Sequence, residues 1–218
     1  KVLSSGQKLD IEDYKMIFRI LIEEYTRFCN EWLNSVHTKI NLKKVCICDI
    51  YQGGYIFEET FKYYLDSFLE GSYELGLIIY ERISVECNLF LRWRVKDYAS
   101  LIYKAHQKNA ETNGEFPINK CINDLLGFRI VDINYSQNIE KVKEHLEYLK
   151  RNKHRIRHIN SSKNGYKGYH VYFNGLNNCC FPLELQIWDS KDERRNLELH
   201  KEYKQNYLEW LKTYNNFR

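Results

Sequence analysis

The sequence holds no apolar run near the roughly 20 residues that cross a bilayer, which argues against a membrane-spanning helix. It holds no internal repeat and no low-complexity segment, so a repeat architecture is not expected. It carries no secretory signal, and Lys1–Gln7 reads as a trimmed end rather than a targeting segment. It lacks a strong charge. The 33 Lys and Arg against 29 Asp and Glu leave +4, which permits a nucleic acid or nucleotide partner without demanding one. It also lacks C-x-x-C pairs. Cys46 and Cys48 form a C-x-C and Cys179–Cys180 are adjacent, neither with the usual zinc spacing. Seven cysteines, an odd number without a signal peptide, are expected to be small buried thiols in a reducing cytoplasm.

What is present is enough for one good-sized domain or a domain with a helical extension: 218 residues, 44% of them hydrophobic. Apolar residues recur at spacings of three and four from Ile11 to Leu33. They predict a helix over Asp10–Leu33, capped by Asp10 with Asp13 at the capping-box position. Tyr55–Leu69 reads as a helix ended by Gly71, and Ser72–Tyr80 as a further helix. Ser84–Lys96 alternates through Val85, Cys87, Leu89, Leu91, Trp93 and Val95, which predicts a strand. Asp97 then caps a helix to about Asn109. Beyond it come a strand at Gly127–Ile133, a helix at Gln137–Lys150 and a short strand at His154–Asn160. A hairpin pair follows at Gly168–Asn174 and Pro182–Trp188. A closing helix spans Ser190–Tyr214, with Leu199, Tyr203, Tyr207, Trp210, Leu211 and Tyr214 at helical spacing. Helices first, then β-α-β-α-β-β-β-α, predict a mixed α/β (α+β) sheet of about five strands flanked by helices. The expected division is an N-terminal helical region over 1–83 and a sheet domain over 84–218, packed as one unit.

Four clusters could carry chemistry. The first is the stretch Ser161–Phe173, SSKNGYKGYHVYF. Gly165 and Gly168 bracket Tyr166 and Lys167, where glycine permits positive φ and close approach to a ligand. Tyr166 offers a face for stacking a base, and Lys163 and Lys167 offer charge for phosphate. A polar hairpin loop entering a half-buried strand fits these residues equally well. In the second cluster, Arg92–Lys104, Arg94 and Lys96 share one face of a strand end just before a helix N-terminus, an arrangement suited to polyphosphate. A solvated strand end is the plainer reading. The third, Asp124–Arg129, places a carboxylate among apolar residues, either a cation ligand such as Mg²⁺ needs or a turn cap, with Arg129 in the strand. The fourth, LELQI, puts Leu183, Leu185 and Ile187 on one face and Glu184 and Gln186 on the other. Two carboxylates on adjacent strands suit Mg²⁺-dependent phosphoryl transfer, so Asp124 and Glu184 are expected to share one ion.

The order of these motifs, R-x-K-x-x-x-S-L-I-x-K, then D-L-x-G-x-R, K-x-G-Y-x-x-x-H and E-L-Q-I, resembles the synthetase domain of the RelA/SpoT family over roughly Leu89–Lys201. The resemblance implies a nucleotidyltransferase-related fold and transfer of the β,γ-pyrophosphate of ATP to a ribose 3′-hydroxyl. It implies that Arg94, Lys96, Ser100, Lys104 and Arg129 serve ATP. Asp124 and Glu184 would bind Mg²⁺, with Glu184 activating the hydroxyl and Gln186 supporting it. Lys163, Tyr166 and His170 would hold the acceptor. The chain departs from the family pattern at Trp93, at Lys167–Gly168, at Trp188 where Arg is usual, and at Leu199–His200–Lys201. Those departures fall mainly on the acceptor side. With no hydrolase or regulatory domain expected beside it, the chain resembles a small stand-alone member.

Some small members are toxins that pyrophosphorylate the 3′ CCA end of tRNA, and a small antitoxin is their expected partner. Lys150–His158, with five Lys or Arg in nine residues, offers Lys153, Arg155 and Arg157 to a tRNA backbone, with Lys43–Lys44 as a second surface. The same run reads as a solvated strand edge. The tRNA reading stands slightly ahead of alarmone synthesis on GDP or GTP. A non-catalytic RNA-binding module is a more distant alternative, since a pure binder has no need of paired carboxylates.

Overall fold

The computed structural model describes residues 6–51 and 57–215. Helix α1 (Ile11–Ser35) begins as its sequence dictates. Asp10 accepts from the amides of Glu12 and Asp13, and the Asp13 carboxylate accepts from the Asp10 amide at 2.8 Å, closing the capping box. Its buried stripe includes Tyr14, Ile17, Phe18, Leu21, Tyr25, Cys29 and Trp32. A short helix, α2 (Ile47–Ile50), follows.

Helix α3 (Glu59–Cys87) is continuous where the sequence predicts two helices and a strand. Gly71 does not end it. A Cβ there would lie 2.5 Å from the Phe28 ring, and one on Gly76 would lie 2.4 Å from the Trp93 ring. Both glycines are close-packing positions, and Gly76 explains how Trp93 fits beneath the sheet. Leu75, Ile79 and Ile83 are buried and Cys87 packs against the same core, so the helical period outlasts the short alternation at Val85, Cys87 and Leu89. The left-handed Asn88 ends the helix. The expected boundary at 83/84 therefore falls inside α3, and one hydrophobic core runs through both expected regions. The start of the predicted helix at Tyr55 lies outside the described residues.

Strand β1 is shorter than expected, Arg92–Val95. Helix α4 (Tyr98–Thr112), capped by Asp97, short α5 (Ile118–Cys121), β2 (Leu126–Asp132) and α6 (Tyr135–Arg151) come next. Then follow β3 (Ile156–Asn160), β4 (Tyr169–Phe173), β5 (Leu183–Asp189) and, after one 3-10 turn, α7 (Glu193–Asn215). Among the described residues the sheet has five strands in the order β1-β2-β5-β4-β3, with β2 and β5 parallel and the other pairs antiparallel. This is the mixed α+β architecture expected.

Register and the two-residue period sort the side chains. Trp93, Phe128, Leu185 and Val171 lie on one line across the sheet, facing the helical core. The opposite face carries Arg94, Gly127, Glu184, Tyr172 and Arg157 in register. Arg92, Arg129, Gln186, His170 and Ile159 lie one step along it. One face of the sheet is thus apolar and the other is charged. Of the cysteines, Cys29, Cys121 and Cys180 are buried.

Candidate active site

The charged face of the sheet forms the floor of a cavity of about 950 Å³. The start of α4 and the segment before β2 wall one end, and Ser161, Tyr166 and the α7 residues Leu197, Leu199, His200 and Lys201 wall the other. Ten of the eleven residues expected for catalysis, ATP and acceptor line it: Arg94, Lys96, Ser100, Lys104, Asp124, Arg129, Tyr166, His170, Glu184 and Gln186.

Lys163 is the exception. Its amide and carbonyl pair with those of Tyr166 in a tight turn, with Asn164 and Gly165 both at positive φ, and its side chain is exposed outside the cavity lining. Positive φ at Gly165 follows the expectation. Gly168 makes its close approach to Tyr166 rather than to a ligand, for a Cβ there would lie 2.7 Å from the Tyr166 hydroxyl. Glycine lets the tyrosine fold back across its own loop.

Near the start of α4, Asp124 lies two residues before β2. Lys96 Nζ donates to one carboxylate oxygen at 2.7 Å and Lys104 Nζ to the other at 2.9 Å. Lys104 also donates to Asn123 Oδ1 at 3.0 Å. Burial opposes ionisation of Asp124, but the charges of Lys104 and Lys96 outweigh it and hold the carboxyl well below its usual range. Burial pushes Lys96 down, with Asp124 pulling the other way, whereas at Lys104 the Asp124 charge wins over burial and the pKa rises. Ser100 lines the cavity while its hydroxyl donates to Asp97 Oδ2 at 2.7 Å, so it also completes the helix cap.

On the same floor, in register with Gly127 and Arg94, buried Glu184 is gripped at both oxygens. Oε1 lies 3.0 Å from His170 Nδ1, and Oε2 accepts from Gln186 Nε2 at 2.9 Å. Burial raises its pKa, the His170 contact lowers it, and the net shift is downward, toward carboxylate. Arg129 donates to Gln186 Oε1 through Nε and Nη2, at 3.0 and 2.9 Å, and its guanidinium lies 3.7 Å over the Trp188 ring. Burial brings Arg129 down to about 10. Burial takes Tyr166 up to about 12. Its ring packs edge-on to His170, Trp188 and His200.

Asp124, from the segment just before β2 rather than from a strand, and Glu184, from β5, offer oxygen ligands to one cavity, which fits a hard divalent cation that keeps waters and takes its other ligands from substrate phosphates. Among the described residues no group of three or more His, Cys, Asp or Glu is placed to hold a metal by itself.

Of the residues expected to meet tRNA, only Arg157 adjoins the cavity. It is exposed on β3, with its guanidinium 4.1 Å over the ring of Tyr172, a cavity residue. Arg155 instead donates to Gly175 O at 2.9 Å and to Asn178, tying the strand entry to the 174–182 loop, and Lys153 occupies an exposed left-handed turn. Lys43 and Lys44 are exposed and lie outside the cavity lining. Tyr172, Trp188 and Asn123 were not among the expected site residues. Strand parity could have found the first two, which share a face with His170 and with Gln186.

His200 gives the site a pH signature. Burial, then Arg129 and Arg94, bring its pKa from 6.5 to about 4. Between those values the unfolded chain binds a proton that the folded chain refuses, so stability rises with pH across the window and is lost on acidification. Urea titrations at pH 7 and pH 5 should show a larger loss for the wild type than for His200→Gln. Equal losses would mean that His200 charges in place without cost.

The family described as a region found in RelA / SpoT proteins matches residues 93–207, just over half of the chain. Three solved structures, two of them of one protein, are similar to the chain. Small alarmone synthetase 1 from Bacillus subtilis is 22% identical, covering 69% of this chain and 82% of its own, with a TM-score of 0.44. A GTP pyrophosphokinase family protein from Streptococcus pneumoniae is 18% identical, covering 68% and 79%, with a TM-score of 0.41. The Bacillus subtilis synthetase bound to AMPCPP aligns at 16% identity over 73% and 92%, with a TM-score of 0.36. No curated protein matches the chain. No helix among the described residues is long and apolar enough to cross a membrane.

Proposed function

The chain belongs to the RelA/SpoT family of pyrophosphokinases, and from that premise we propose that its cavity moves the β,γ-pyrophosphate of ATP to the 3′-hydroxyl at the CCA end of tRNA. The observation that carries the transfer chemistry is one cavity that holds a cationic cluster, Arg94, Lys96 and Lys104 around Asp124, beside the buried carboxylate of Glu184. Phosphates of ATP take the lysines, which are already pre-aimed by Asp124. Bound Mg²⁺, held by Asp124 and Glu184, would neutralise phosphate charge. Glu184, ionised and desolvated, accepts the proton of the attacking hydroxyl. Tyr166 and His170 shape the wall where the acceptor's terminal nucleotide sits.

The tRNA reading is supported by the sheet edge. Strand β3 is one of the two outer strands, Arg157 is exposed on it, and Tyr172 beneath Arg157 belongs to the cavity. An RNA strand whose 3′ end enters the cavity crosses that edge and meets Arg157 with a phosphate. The consequence is a block of translation, with a small antitoxin protein as the natural counterweight.

ATP labelled at the γ-phosphate, incubated with Mg²⁺ and with GDP, GTP or deacylated tRNA, decides the acceptor. Label is expected on tRNA. Label on a guanine nucleotide alone would assign alarmone synthesis instead. Arg157→Ala should weaken tRNA binding and lower the slope of log affinity against log salt by about one. An unchanged slope would remove the β3 edge from the RNA path. Arg155 is left out of this variant because its hydrogen bonds hold the 174–182 loop.

A further inference from the structure

We propose that Trp188 is a positioning residue whose indole N–H sets the direction of a closed ring of contacts that aims Glu184. The ring can be walked from side chain to side chain. Trp188 Nε1 donates to the Tyr166 hydroxyl at 2.8 Å. That hydroxyl lies 2.7 Å from His170 Nε2. His170 Nδ1 lies 3.0 Å from Glu184 Oε1. Glu184 Oε2 accepts from Gln186 Nε2, and Gln186 Oε1 accepts from Arg129. Arg129 returns to the start, its guanidinium 3.7 Å over the Trp188 ring. Two of the arms that hold the Glu184 carboxylate therefore end on Trp188; the Tyr172 hydroxyl, also bonded to Glu184 and 3.3 Å from His170 Nδ1, is a third that does not.

Donor and acceptor chemistry gives the ring a direction. An indole nitrogen can only donate, so the Tyr166 oxygen must accept from it. The hydroxyl's own proton then needs an acceptor, and His170 Nε2 is the one within reach among the described residues. A ring nitrogen that accepts leaves the imidazole proton on Nδ1, which points at Glu184 Oε1. On the other arm, two Arg129 donors occupy the Gln186 carbonyl, which turns the amide N–H toward Glu184 Oε2. Glu184 thus receives a donor at each oxygen and meets the acceptor as a carboxylate fixed in orientation. Without the indole N–H, the Tyr166 hydroxyl can turn round and present its oxygen to Nε2, and the Glu184 carboxylate alone is left to hold the imidazole proton on Nδ1. Trp188 is fully buried, so its N–H has no water to turn to.

The test is Trp188→Phe, which keeps an aromatic face under Arg129 and removes the N–H together with part of the indole ring. ¹⁵N spectra of histidine-labelled protein report where the His170 proton resides. The wild type is expected to show the Nδ1–H form, and the variant a mixture. Turnover should fall roughly 10–100-fold, the cost of losing an outer hydrogen-bond partner. KM for ATP should stay put, because Lys96 and Lys104 lie on other elements. In a Tyr166→Phe background the same substitution should cost nothing more, since both act through one hydroxyl. The ¹⁵N spectrum of the folded variant guards against reading a folding defect as an effect on chemistry. An imidazolium or an Nε2–H form in the wild type, an unchanged tautomer in the variant, or an unchanged turnover number overturns the proposal. The kinetic arm rests on the proposed transfer reaction. A wild type that transfers nothing would overturn that reaction, and the tautomer measurement alone would then decide the role of Trp188.

Discussion

Replacing Glu184 by Gln will lower pyrophosphate transfer by roughly 10²–10⁴-fold, the range expected when a positioned acid–base group is lost, while ATP still binds. Glu184 is 5% exposed, so its charge is felt at full strength by a hydroxyl brought against it. An amide of the same shape cannot take the proton. It also carries one donor end, which must face either the His170 Nδ1–H or the Gln186 N–H, two donors meeting head-on. That mismatch adds about 1–3 kcal/mol of local cost. The phosphate-side cations Lys96 and Lys104 belong to other elements and keep their partner Asp124. Single-turnover rates with labelled ATP, beside a binding titration with ATP alone, separate the two effects. A variant that transfers at the wild-type rate would strip Glu184 of its role and move the base elsewhere.

The faces of β4 and β5 were legible because a strand alternates with a period of two and needs no partner to do so. His170 with Tyr172, and Glu184 with Gln186, fall together by counting alone. The start of α1 was legible for a similar reason, since Asp10 and Asp13 are four-residue neighbours that act locally. What escaped depends on distant packing. Gly71 looks like a helix end until the Phe28 ring lies against it. Val85 and Cys87 alternate in a strand's rhythm while Leu75, Ile79 and Ile83 carry the helical period that governs them. Lys163 sits in a two-residue turn whose geometry sends the side chain outward, which composition does not reveal. Arg155 becomes structural only when the 174–182 loop folds back on it. Trp188 stood out as a departure from the family pattern, but its hydrogen bond to Tyr166 joins residues 22 positions apart and needed coordinates.

Asp124→Asn will cost the fold about 3–5 kcal/mol as well as ATP binding, because removing one partner from a buried charge cluster leaves the others uncompensated. The side chains concerned are barely open to water, Asp124 at 13%, Lys96 at 10% and Lys104 at 22% exposed. With the negative charge gone, two ammonium groups face one amide, which can accept from one of them and must turn its own N–H to the other. Urea titration reads the loss directly. Substituting Lys96→Met and Lys104→Met along with Asp124→Asn replaces the cluster by apolar bulk, which is often neutral for stability. That triple variant should regain most of the melting stability and still fail to bind ATP, dividing the structural duty of the cluster from its duty to phosphate. The same pairing fixes a sign with pH. The Asp124 carboxyl is held below its ordinary value of 3.8, so its contribution is complete above that value and drains away as the pH falls beneath it. The Asn variant has no such contribution to lose, and its acid limb should be flatter. A single variant as stable as the wild type would mean that Lys96 and Lys104 shed or rehydrate their charges freely, and the cationic end of the cavity would then not be the rigid phosphate cradle described.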